Sequence, residues 1–182
     1  MTNEDLRFMK MLKTFGLNKL IMCPEFVLSL MIPLGLFYLI FYIGQSQLNS
    51  LILELSKVIV AIDAAIIVLV ITGLAILLSV LNSSFLSFIN SSNLYVKFFF
   101  PFYLSSMLWG IHILFSIILI FFTYSSLVSL FPELFCLVLF IYVSCFLYAL
   151  LNSLSLVGTI IRLGQKKTEF DEVLGKVDSL PN

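Results

Sequence analysis

The sequence predicts an all-α membrane protein with four transmembrane helices, both termini cytoplasmic, and short helices lying at the membrane interface. Three observations carry that class. The chain is 61% hydrophobic and 11% charged, against about 45–50% and about 25% in soluble globular proteins. Its apolar residues gather into four runs, at about 24–43, 58–80, 98–122 and 134–163, each long enough to cross about 30 Å of hydrocarbon at about 1.5 Å per helical residue. Its cations gather near the two ends although the formal net charge is zero.

Residues 1–23 place Arg7, Lys10, Lys13 and Lys19 ahead of the first apolar run, with Leu6, Met9, Leu12 and Phe15 among them. A short basic helix lying against anionic lipid is expected there. Charge runs through these residues and no small-residue cleavage site follows a short apolar core, so the first run is expected to stay as an uncleaved anchor. That first span, about 24–43, has Pro24 in its opening turn and Pro33 inside, where the missing N–H should kink the axis. Gly44 should end it. The connection 45–57 carries Leu48, Leu51, Ile52 and Leu55 on one face and should continue the second span outward.

The second span, VIVAIDAAIIVLVITGLAILLSV over 58–80, is the one around which the chain is organised. Its single carboxylate, Asp63, is of a kind rare inside a membrane helix. With Val58 taken as the outer boundary, Asp63 lies five residues in, about 7–8 Å below the surface. It should there be wet, protonated or hydrogen-bonded to Tyr38 of the first span, in a helix contact or an ion path. Ala61 and Ala65, with Gly73, give a small-residue face for a neighbouring helix.

Residues 81–97 set Phe85, Phe88 and Ile89 at helical spacing among Ser and Asn, a segment expected to lie flat at the interface. The Asn-Ser-Ser triplets at Asn82 and Asn90 fall on the cytoplasmic side, where glycosylation is not expected. In the third span, about 98–122, Pro101 should occupy the first turn. Trp109 and His112 share one face near the midplane. His112 should lie roughly 10 Å deeper than Asp63, counted by helical rise, so the two need not touch; a hydrogen bond to Ser or Tyr of a neighbouring helix is expected. The fourth span, about 134–163, begins after Pro132-Glu133 and is about 45 Å long, so it should tilt or project. Along it run Tyr142, Ser144, Tyr148, Asn152 and Ser155, with Ala149 and Ser153 at a close-packing interval.

The tail, 164–182, repeats Phe170, Val173, Leu174 and Val177 at helical spacing, with Lys166 and Lys167 at its start. Four apolar residues make no core of their own, so this stripe must pack on something else, and its residues are candidates for holding a partner protein. With four spans, nine of the ten cations fall on one side and only Lys57 on the other. The positive-inside rule then makes that side cytoplasmic.

No phosphate-binding loop, zinc helix or nucleophile elbow occurs. No catalytic residue, cofactor or metal ligand is expected, and no enzyme. Cys23, Cys136 and Cys145 lack metal-ligand spacing and read as apolar filler, with Cys23 a candidate for lipidation. The Phe-, Ile-, Leu-, Ser- and Asn-rich composition suits an AT-rich bacterial gene, and hence a bacterial inner membrane.

The charged start MTNEDLRFMK, the four spans and the mixed-charge end RLGQKKTEFDEVLGK together resemble the small four-span membrane subunits of bacterial anti-phage systems, nearest the membrane component of the Kiwa system. The likeness is one of topology along the whole chain and assigns no residue a role. It implies a sensor that oligomerises and associates with a cytosolic DNA-binding partner. The expected function is thus a homo-oligomeric membrane scaffold or sensor that controls a cytosolic protein and does not itself bind nucleic acid. The alternative is a pore-forming, holin-like protein, suggested by Asp63, His112 and the polar series of the fourth span; a toxin-neutralising immunity protein is a weaker third possibility.

Overall fold

The computed structural model describes residues 8–16, 23–41, 45–91, 94–125 and 130–178. Among them there are six helices and no strand. They are α1 (Phe8–Phe15), α2 (Pro24–Phe41), α3 (Gln45–Val80), α4 (Ser83–Ser91), α5 (Leu94–Tyr124) and α6 (Pro132–Asp178). Arg7, Lys19, Gly44 and residues 179–182 lie outside the described residues, as do the side chains of Lys10, Tyr38, Leu48 and Val177.

Three helices, α3, α5 and α6, are long and apolar enough to cross a membrane. At 36, 31 and 47 residues they measure about 54, 46 and 70 Å, each longer than a bilayer core of about 30 Å. Their apolar side chains face outward as much as inward: only 17% of the most apolar window of α3 is buried. Val68, Leu69, Leu114 and Phe121 are all more than half exposed. That distribution suits lipid as the surrounding medium. The first expected span corresponds to α2, 18 residues long with Pro33 buried inside it.

Several boundaries differ from expectation. The helix of the second span runs unbroken from Gln45, as expected of the 45–57 connection, so Val58 is no helix end and Asp63 is mid-helix. Pro101 is not in a first turn, because α5 begins at Leu94 and places it eighth. Span four and the tail are one helix, running through Gly164 without a break and beginning at Pro132 itself, where a backbone N–H would have no helical partner anyway. Asn82 caps α4: its side-chain oxygen accepts the N–H of Phe85 at 2.8 Å.

The helices meet along seams spaced four, three, four, three. On α3 the inward residues are Ile52, Ser56, Ile59, Asp63, Ile66 and Val70; on α5 they are Ser105, Trp109, His112, Ser116, Leu119 and Thr123. Phe135, Leu139, Tyr142, Phe146 and Ala149 continue the pattern on α6. A mean spacing of 3.5 residues keeps one face turned to its neighbour as the helices supercoil. Thus α3 packs on α5, α5 on α6, and α2 on the far side of α6. The Phe26–Tyr148 edge contact at 5.8 Å belongs to that last pairing.

At one end, α4 buries Phe85 and Ile89 against Phe99 and Leu163, as the flat-lying segment requires. Phe170 of the tail joins them, its ring 5.4 Å from Phe85 and 5.1 Å from Phe88. The short α1 lies on α5, with Met11 buried against Phe100 and Leu104 and the Phe15 ring 5.0 Å from that of Phe100. Gly16 ends α1 at φ 97°, a left-handed conformation that suits glycine, its N–H returning to the Leu12 carbonyl.

Candidate functional site: a buried Asp-His pair at the three-helix seam

Asp63 and His112 touch. The Asp63 Oδ2 to His112 Nδ1 distance is 2.7 Å, and both side chains are buried. The expected separation of roughly 10 Å is therefore overturned, for a reason of register: α3 and α5 are joined through α4. Asp63 stands 17 residues before the end of α3 and His112 stands 18 residues after the start of α5. At about 1.5 Å per residue those depths agree to within one residue. Counting depth from Val58 gives the wrong answer because Val58 is not a helix end.

The hydrogen bonds fix where the protons are. His112 Nε2 is 3.2 Å from the carbonyl of Tyr142, and a carbonyl only accepts, so Nε2 carries hydrogen. One proton then lies between Nδ1 and Oδ2, on either side of a short contact typical of charge-assisted bonds. Wherever it sits, imidazolium with carboxylate or imidazole with carboxylic acid, the pair as a unit is neutral. That neutrality lets two ionisable groups sit inside an apolar bundle without the cost of burying a net charge.

Tyr142 closes the site from α6. Its ring stacks on His112 at 4.6 Å and 12°, and its hydroxyl is 2.7 Å from Ser116 Oγ. Ser116 donates its only hydrogen to the His112 carbonyl at 3.0 Å, so the tyrosine donates to the serine. One helical turn away the logic repeats. Ser153 Oγ donates to the Ala149 carbonyl and accepts from Trp109 Nε1 at 2.8 Å, so Ser105, 2.9 Å away, donates to it as well. Trp109 also lies edge-on to His112 and to Phe146.

Two buried polar atoms here, Asp63 Oδ1 and Ser56 Oγ, have no hydrogen-bond partner among the described residues. Each is an acceptor that a rearranged neighbour or an entering group could use.

Sequence reading names Asp63, His112 and Trp109 as intramembrane candidates, and all three lie on this seam. Of the states expected for Asp63, wet, protonated or bonded to Tyr38, none names the partner found, His112; α2 packs against α6, and the side chain of Tyr38 is outside the described residues. Asn152 does not join the pair. It lies beside Ser153 on the wall of a separate cavity, with its Nδ2 buried and without a partner among the described residues. Sequence reading misses Ser105 and Ser116 as members of the network and names Ser153 only for close packing. Ser116 and Ser105 lie at plus four from His112 and minus four from Trp109, and extending the seam from that pair finds both.

Of the tail candidates, Phe170 is engaged within the chain, and Val173 and Leu174 are exposed. Lys166 pairs with Glu169 at 2.6 Å and Lys167 with Asp171 at 2.7 Å. Cys23 precedes α2, and partial burial raises its thiol above the ordinary range, which disfavours the reactive thiolate that lipidation would use.

Compared with protein-family models, with curated proteins and with solved structures, the chain matches none.

Proposed function

We propose that the chain is a homo-oligomeric subunit of a bacterial inner membrane that acts as a scaffold or sensor and holds a cytosolic partner, with a role in anti-phage defence. The observation that carries this reading is α6: one helix passes from the apolar bundle through Gly164 to Asp178 and carries exposed Val173 and Leu174 near its end. A rigid rod of this kind transmits a tilt or rotation of the membrane end to whatever grips the other. With α2 as a fourth span, the cation distribution favours both termini in the cytoplasm. Ala61 and Ala65, exposed on α3, leave a small-residue face for a second copy.

Purification of the full chain in mild detergent is the test. A cytosolic protein should travel with it in fixed ratio, and Val173→Asp with Leu174→Asp should release that protein while the membrane oligomer keeps its size. Retention of the partner by the double variant would contradict the proposal.

The second reading, a pore or holin-like protein, is favoured by the ionisable pair within the apolar bundle. It predicts ion leak from liposomes that Asp63→Asn or His112→Ala alters. The pair bonds within one chain and both side chains are buried, which supports the scaffold reading over it.

A further inference from the structure

At the end of the bundle where α1 lies on α5, a cavity of about 590 Å³ opens between α1, α5 and α6. Its chemistry changes with depth. Lys97, Arg162 and Lys166 line one part together with the Glu169 carboxylate, and Phe15, Pro101 and Leu104 supply apolar wall. Deeper along α6 lie Ser155 and Asn152, with Asn152 Nδ2 itself enclosed behind the cavity wall and without a partner among the described residues. Of the three cations, Lys166 already has Glu169. Arg162 and Lys97 have no carboxylate within ion-pair distance among the described residues. Arg162 folds back along its own helix, its Nε donating to the Gly158 carbonyl at 3.2 Å, which brings the guanidinium about 6 Å deeper than its own Cα.

We infer that this cavity is a binding site for one anionic phospholipid. The ligand must carry an anion for Arg162 and Lys97, a neutral polar group at the level of Ser155 and Asn152, and hydrocarbon for the Phe15 and Leu104 wall. A phospholipid presents these in the same order, phosphate, then ester carbonyl, then acyl chain. A guanidinium suits phosphate because its planar fork donates two parallel bonds. The position fits too: Lys97 lies near the start of α5, and Arg162 follows the apolar part of α6, at the level where headgroups meet hydrocarbon. The site shares Lys166 with the start of the tail but uses neither Val173 nor Leu174, so the two proposals can fail separately.

Native mass spectrometry of the delipidated full-length protein tests the site, with dioleoyl phosphatidylglycerol and dioleoyl phosphatidylcholine added in parallel. One phosphatidylglycerol should stay bound where phosphatidylcholine does not. Arg162→Ala with Lys97→Ala should weaken retention about tenfold or more, as loss of charge-assisted bonds to phosphate requires. Arg162→Lys should weaken it less, and Asn152→Leu should weaken it while leaving the cation contacts. Lys57→Ala, on α3 away from the cavity, should change nothing. Equal retention of the two lipids, or unchanged phosphatidylglycerol binding in both the double variant and Asn152→Leu, would overturn the proposal. Displacement of the lipid by millimolar inorganic phosphate would overturn it as well, in favour of a free anion.

Discussion

The proton between Asp63 Oδ2 and His112 Nδ1 decides what each residue can tolerate. Removing the carboxylate leaves a buried ring nitrogen without its partner; removing the imidazole leaves a buried carboxyl with none. Buried hydrogen bonds broken on one side cost about 1–3 kcal/mol, and the ones between membrane helices fall toward the low end of that range. Asp63→Ala and His112→Ala are therefore each expected to destabilise the protein by about 1–2 kcal/mol in reversible unfolding from mixed micelles. The double variant should cost clearly less than the sum, because its second substitution removes a group already orphaned. Asp63→Asn should be milder than Asp63→Ala, since the amide can donate to an unprotonated Nδ1 while Nε2 keeps its bond to Tyr142. Strict additivity across the cycle would mean that the two side chains do not interact.

Among the elements, α6 is the one whose continuity matters. Gly164 lies inside it, and a Cβ added there would meet open space, so no packing requires glycine. Glycine in a helix interior costs about 0.5–1 kcal/mol relative to alanine. Gly164→Ala should slow amide hydrogen exchange across 165–178, whereas Gly164→Pro, which removes a backbone donor, should speed it and free Phe170 from Phe85 and Phe88. No change in exchange with either variant would show that bundle and tail are uncoupled. The apolar runs are legible in the sequence because about 20 consecutive hydrophobic residues have few destinations other than a membrane. Helix ends are less so: Ser, Asn and Gln around 45–57 and Gly164 are tolerated in both helix and loop, and hydropathy stops where lipid stops, not where hydrogen bonding does. The error carries through to the site, since the depth assigned to Asp63 depends on its helix end. The same holds for Pro101, seven residues beyond the true start of α5. The serines of the network are legible in principle, through the 3.5-residue spacing that Trp109 and His112 begin.

For the molecule as a whole, the three long helices turn apolar faces outward and bury a largely apolar seam in which a few polar side chains are set, so that, unlike a soluble bundle, inside and outside are both apolar. Such a chain should resist carbonate extraction from membrane vesicles. On the proposed four-span arrangement, reporters fused at the two termini should both be active in the cytoplasm; a reporter at the tail that is active only outside would reduce the crossings to an odd number. The seam itself can be read through a single side chain, because the sequence contains one histidine. That ring touches Asp63 on α3 and Tyr142 on α6 while belonging to α5. The most direct test is solid-state ¹⁵N NMR of histidine-labelled protein in lipid bilayers. A protonated Nε2, a Nδ1 sharing its hydrogen bond with a carboxyl that Asp63→Asn abolishes, and no magnetisation transfer from water are the expected results. A ring in contact with water, or one protonated at Nδ1 alone with a bare Nε2, would contradict the arrangement of the three helices around this pair.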